Sequence, residues 1–168
     1  MKPMLQKLDE ISLYSATAGN LGMVLGGSII ASLFVIPLKI ITSLLWQLSP
    51  SLDHLFWFLF LAASCFAIYK ALMHYNGYER NFIVLDSVVG MSIAFAGISL
   101  GFDQTRLFMF GFVLFHVLRF CKPLFLLNKH IAQLYSLPHV LGFLAGPVMY
   151  GIIVNCILRM ALWYLSQA

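Results

Sequence analysis

Charge is what this sequence has least of. Lysine, arginine, aspartate and glutamate together make up 10% of its 168 residues, against about 25% in ordinary soluble domains. A soluble domain of this size leaves about a third of its chain surface in water. It has no means of hiding a composition that is 61% hydrophobic,. The mean hydropathy of +0.92 therefore excludes a water-soluble globular fold and points to an integral membrane protein, expected to form one domain over residues 1–168,. Cysteine is scarce as well. Cys65, Cys121 and Cys156 lie within or beside apolar runs and show no metal-ligand or redox spacing, so they read as buried thiols packing as small hydrophobes.

Recognisable signatures are also missing. There is no P-loop, nucleophile elbow or dinucleotide fingerprint, no internal repeat and no low-complexity segment. His54, His74, His130 and His139 fall in or near loops, and no two share ligand spacing on one helix, so no metal site is expected from them. The N-terminal "MKPMLQKLDEISLYSATAG" has neither an apolar h-region nor a small-residue cleavage site, and the first span is expected to remain in the mature protein. The formal net charge of +4 comes from basic residues scattered between apolar runs. That pattern suits anionic phospholipid headgroups as partners and speaks against nucleic acid.

What is present is a series of long apolar runs. A span needs roughly 20 such residues, and five candidates occur: Gly22–Trp46, Leu55–Met73, Phe82–Leu100, Leu107–Leu127 and Val140–Leu165. Turn-forming "LSPSLDH", "HYNGYER", "GFDQT" and "NKHIAQLYSLPH" separate them,. The expected fold is an all-α bundle of about five transmembrane helices. Lys2, Lys7, Lys70, Arg80, Lys122 and Lys129, with Arg119 close by, would share one side. Arg106 stands alone on the other, and Lys39 and Arg159 lie deeper in their spans. The bias predicts a cytoplasmic N-terminus and a C-terminus on the far face. In the first span "GNLGMVLGGSIIAS" suits close helix packing or, alternatively, a break where backbone N–H groups face a ligand. Pro37 and Lys39 mark a kink, a re-entrant turn or a protein contact in the same span.

Polar residues inside apolar runs call for partners. Asp86 and Ser87 lie in "NFIVLDSVVGMSIAF", with Asp86 about one turn inside the cytoplasmic end of the third span. His116, Arg119 and Lys122 follow one another at intervals of three in the fourth span and would form one polar stripe leading to the same side. Two readings stand side by side. One is an interhelical ion pair between Asp86 and Arg119 or Lys122, with the other base reaching the interface. The other is a cytoplasm-facing pocket that holds the phosphate of a lipid headgroup through charge-assisted hydrogen bonds.

"NFIVLDSVVGMSI", then "GFVLFHVLRFCKPLFLL", then "HVLGFLAGPVMYGII", in that order and at matching spacings, resembles phosphatidylglycerophosphatase A. That resemblance implies a small multi-pass protein of the bacterial inner membrane. It also implies a Mg²⁺-dependent reaction that removes the terminal phosphate of phosphatidylglycerophosphate to leave phosphatidylglycerol. "GGSIIASLFVIPL" is similar to the family's early Gly-Ser-Leu-Ala-Ala-x-Pro segment, which places Gly27 and Ser28 in its site. The departures fall on the chemical positions. Asp86 keeps the family's first acid, but the following Glu is Ser87. The family's Arg and Asp of the second run are His116 and Arg119, while Lys122 and Pro123 remain. Its Asp-Asp pair falls at Leu141 and Gly142, before the retained Ala145 and Gly146, and its early Thr falls at Leu25.

Mg²⁺ prefers carboxylate and water oxygens, and phosphoryl transfer needs positioned charge and an oriented nucleophile. One Asp facing an Arg and a Lys meets neither need. A non-catalytic relative, acting as a membrane subunit or a phospholipid-headgroup-binding scaffold with no cofactor, accounts for the kept scaffold and the lost acids together. Its headgroup-binding or vestigial site would be Asp86, Ser87, His116, Arg119, Lys122, Gly27 and Ser28. The alternative is an active Mg²⁺-dependent lipid phosphatase using Asp86, His116 and Lys122, with His116 as general acid or base. A proton or ion pathway past Asp86 and Arg119 is the third class, and it would ordinarily show more intramembrane acids.

Overall fold

The computed structural model describes residues 2–18, 26–74, 83–98, 105–122, 129–135, 137 and 139–167. Leu25, Arg80 and Pro123 lie outside them. Every described element is a helix: α1 (Lys2–Ala16), α2 (Gly27–Ser32), α3 (Val35–Leu48), α4 (Pro50–His74), α5 (Leu85–Ala94), α6 (Thr105–Phe120), α7 (Lys129–Tyr135) and α8 (His139–Leu165). Among the described residues, three stretches are long and apolar enough to cross a membrane: Gly27–Leu48, Ser51–His74 and Val140–Leu165. The chain divides into two compact units, Met1–Val88 and Val89–Ala168.

In the first unit, α3 and α4 form a hairpin joined by one residue. Ser49 is extended (φ −167°, ψ 131°). Its N–H closes α3 on the Leu45 carbonyl at 2.8 Å, and its own carbonyl receives the Leu52 N–H at 3.0 Å. Pro50 then starts α4, where a missing N–H costs nothing, and Asp53 in the first turn suits the positive helix end. Pro37 is the third residue of α3, again in a first turn. The break lies just before it, where Leu33 and Phe34 donate three residues back to Ile30 and Ala31 at 3.1 and 3.0 Å. Pro37 therefore helps start a helix rather than kinking one. Lys39 interacts electrostatically with Asp53 across the hairpin, so its charge has an acid at the hairpin's polar end. Helix α1 packs on α4, with an ion pair of 2.7 Å from Lys70 Nζ to Asp9 Oδ1. Ala31, Val84 and Val88 form a buried cluster with Ala18, Leu38, Phe60 and Leu85 around it, which sets the start of α5 against α2.

In the second unit, α5 is shorter than the apolar run Phe82–Leu100 led us to expect. It ends at Ala94 and turns at Gly97 (φ +68°). At about 1.5 Å per residue, a helix of 10 residues falls well short of the roughly 30 Å hydrocarbon core. Ending a helix among apolar residues strands its last carbonyls. Here α8 supplies their donors: Asn155 Nδ2 donates to Ala94 O and Ala96 O, both at 2.9 Å. Arg159 donates to Ala96 O at 3.1 Å and to Asn155 Oδ1 at 2.8 Å. The polar residues of the last apolar run are thus explained by a helix end in their own unit.

Gly90 is the point where α5, α6 and α8 meet. A Cβ there would lie 2.7 Å from the Phe115 ring and from the Pro147 carbonyl. Around it are buried Val89, Met91, Phe95, Phe115, Val154 and Leu158, with Phe95 stacked on Phe108 at 4.7 Å. The outward faces are apolar, with Phe58, Met160 and Trp163 each more than 60% exposed, the surface expected against lipid rather than water. Cys65 and Cys156 are exposed and Cys121 is partly so, contrary to the buried thiols expected. An outward position on an apolar helix is as dry as a core when lipid covers it, so sequence hydrophobicity does not separate the two.

Candidate functional site

Asp86 is buried, 5% exposed, in the first turn of α5. Its cost is reduced locally. The Ser87 N–H donates to Asp86 Oδ1 at 2.7 Å and the Ser87 hydroxyl donates to the same oxygen at 3.1 Å. The positive end of α5 adds to both. Val84 and Val88, on either side of it, pack with Ala31 of α2, the helix that Gly27 and Ser28 begin after Gly26 (φ +79°). The first unit therefore brings Asp86 and Ser87 into the same neighbourhood as the Gly27–Ser28 helix.

The basic residues belong to the second unit. His116 is buried, with the rings of Phe112 and Phe115 set edge-on at 4.8 and 5.5 Å, and it lies in the field of Arg119. Arg119 occupies the last turn of α6, where a cation complements the exposed carbonyls. Lys122 stands two residues past α6 and is exposed, with its ammonium 5.2 Å from the centre of the Tyr135 ring. The Tyr135 and Tyr150 hydroxyls share a hydrogen bond of 2.6 Å, and Arg119 interacts electrostatically with Tyr150. Arg119 and Lys122 are thereby linked through two phenols that their helical spacing does not reveal, with His116 interacting with Arg119.

The Tyr135 ring is seated by α8. Gly142, Gly146 and Tyr150 recur every four residues and so share one helix face. A Cβ at Gly146 would lie 2.9 Å from Tyr135 Cε1, and one at Gly142 would strike the Leu137 carbonyl and lie 2.9 Å from that of Tyr135. The two glycines form a groove, and Tyr135 and Leu137 lie in it.

The family model of phosphatidylglycerophosphatase A matches residues 14–162, which is most of the chain and includes both Asp86 and the cationic cluster. The chain belongs to the phosphatidylglycerophosphatase A family. No curated protein and no solved structure matches it.

Family membership makes Mg²⁺ the cofactor to test against these residues. Among the described residues no three of His, Cys, Asp and Glu converge on a point that would hold a metal ion. Asp86 Oδ1 already accepts two bonds from Ser87. Gly142, where the family carries an acid, is closed by two backbone carbonyls. Tyr135 and Tyr150 are the members of this cluster that the sequence does not reveal. A phenol in an apolar run resembles any interfacial aromatic, and only the Gly142–Gly146–Tyr150 spacing hints at the groove.

Proposed function

We propose that this chain is a non-catalytic phosphatidylglycerophosphatase A-like protein of the bacterial inner membrane, acting as a phospholipid-headgroup-binding scaffold or membrane subunit. The observation that carries this reading is the exchange at the family's acid positions. Arg119 joins Lys122 in a cluster completed by phenols, and Gly142 is packed under backbone. Cations and phenolic O–H groups bind a phosphate through charge-assisted hydrogen bonds without supplying the carboxylate cage that Mg²⁺ prefers. The headgroup site we assign comprises Arg119, Lys122 and His116; Asp86, Ser87, Gly27 and Ser28, the other family-derived positions, belong to the first unit. Its partners in this reading are anionic phospholipid and other membrane subunits, and it needs no cofactor. One membrane-embedded domain of about five crossings with a cytoplasmic N-terminus goes with it, supported by the basic residues gathered on one side.

The second reading, an active Mg²⁺-dependent phosphatase working through Asp86, His116 and Lys122, is favoured by the survival of Asp86 in a family motif. One experiment separates the two. Detergent-purified protein is incubated with phosphatidylglycerophosphate and Mg²⁺, and released phosphate is measured. The non-catalytic reading expects none above background. Turnover that disappears in Asp86→Asn would overturn it.

A further inference from the structure

The Lys122 ammonium is exposed and sits on a flexible stem, so an anion that recruits it has to immobilise several rotatable bonds. The structure holds it instead over the Tyr135 ring at 5.2 Å, within the range of a cation–π contact. The ring in turn is fixed from two sides. Gly146 leaves just enough space for it, and its hydroxyl is tied to Tyr150 at 2.6 Å. Tyr150 is 1% exposed and feels Arg119. The phenol pair thus runs from one cation to the other. Phe120, Leu134 and Leu141 beside this cluster are 74%, 44% and 65% exposed, so acyl chains fit around it better than water does.

We infer that Tyr135 is a positioning residue that holds Lys122 ready for the phosphate group of a membrane phospholipid, with the Tyr135–Tyr150 hydrogen bond fixing the ring between Lys122 and Arg119. The inference rests on the headgroup reading above and names the residue through which that site works. It makes Lys122 and Tyr135 one functional unit. Removing either forfeits the contribution of both, while two independent contacts would lose affinity separately.

The test is a double-mutant cycle on the full chain in detergent. The protein is titrated with short-chain phosphatidic acid, with short-chain phosphatidylcholine as control and inorganic phosphate as a third arm. Wild type is expected to prefer phosphatidic acid by about tenfold or more, on the scale of one charge-assisted contact. Lys122→Met and Tyr135→Leu are each expected to weaken binding by roughly tenfold, and the double variant by no more than about twofold further. Tyr135→Phe keeps the ring, so it is expected to bind more tightly than Tyr135→Leu at a matching melting temperature. If Tyr135→Leu fails to fold, Lys122→Met and Tyr135→Phe decide the matter. A Lys122→Met that binds like wild type, or a Tyr135→Phe as damaging as Lys122→Met, overturns the inference. Additive losses in the cycle overturn it while leaving the headgroup reading standing. Equal affinity for inorganic phosphate overturns the assignment to lipid, and no preference over phosphatidylcholine overturns the headgroup reading and the inference together.

Discussion

Replacing Asn155 with Leu removes the amide that closes the short helix α5. Asn155 Nδ2 donates to Ala94 O at 2.9 Å in a partly buried position, and it makes a second bond to Ala96 O at 2.9 Å where the group is exposed. Ala96 O keeps Arg159 Nη2 at 3.1 Å after the change, so the main loss falls on Ala94. A buried carbonyl left without a donor costs about 1–3 kcal/mol. Interhelical hydrogen bonds within membranes average only about 0.6 kcal/mol, because the unfolded chain in lipid finds other partners. The expected cost of Asn155→Leu therefore lies near 1–2 kcal/mol, or a melting-temperature loss of about 2–8 °C. Arg159→Ala removes an exposed side chain and should cost about 0.5 kcal/mol or less. Thermal unfolding of the detergent-purified protein, followed by intrinsic tryptophan fluorescence, reads both. An Asn155→Leu variant as stable as wild type would show that the end of α5 does not depend on α8, and the account of Asn155 and Arg159 would be wrong.

Other consequences are equally direct. Gly142→Asp, which restores a family acid, should destabilise by about 2–3 kcal/mol, because the new Cβ meets the carbonyls of Leu137 and Tyr135,. It should also give no Mg²⁺-dependent phosphate release, and a gain of turnover at unchanged melting temperature would contradict the groove. Gly90→Ala places a methyl 2.7 Å from both Phe115 and the Pro147 carbonyl. A loss of about 1–3 kcal/mol is expected, read by the same thermal scan. Asp9→Asn breaks the ion pair with Lys70, whose partners are 35% and 52% exposed. It should cost less than about 1 kcal/mol, and high salt should shrink the difference further.

Membrane residence was legible in composition because charge is scarce everywhere in the chain. The turn in "LSPSLDH" was legible, since Ser49 and Pro50 mark it, although α4 begins at Pro50, five residues before the expected Leu55. Helix length was not. The run Phe82–Leu100 is apolar throughout apart from Asp86 and its hydroxyls, yet α5 stops at Ala94, because what ends it sits about sixty residues away in Asn155 and Arg159. A hydropathy window does not register that an amide in one apolar run serves carbonyls in another. Pro37 shows the reverse error. A proline inside an apolar run reads as an interruption, whereas a break at Leu33 and Phe34 turns the same residue into a helix starter.

The acid positions join the legible and the hidden parts. The family resemblance implies an acid at 142 and another where Arg119 stands. Such losses are compatible with a site rebuilt from other groups. The packing at Gly142 adds a steric condition: the residue must lack a Cβ for the carbonyls of Tyr135 and Leu137 to approach. The same approach brings Tyr135 within reach of Tyr150 and under Lys122. Loss of the acid and seating of the phenol are therefore linked by geometry. A carboxylate returned to 142 would have to displace the backbone that carries Tyr135. Restoring the family's acids one at a time should thus dismantle the cationic cluster before it builds a metal site. Phosphatidic acid affinity measured across Gly142→Ala and Gly142→Asp follows that order: both should weaken binding, and Gly142→Ala should do so with no new charge present. A Gly142→Ala variant with full affinity would separate the groove from the cluster and refute the linkage.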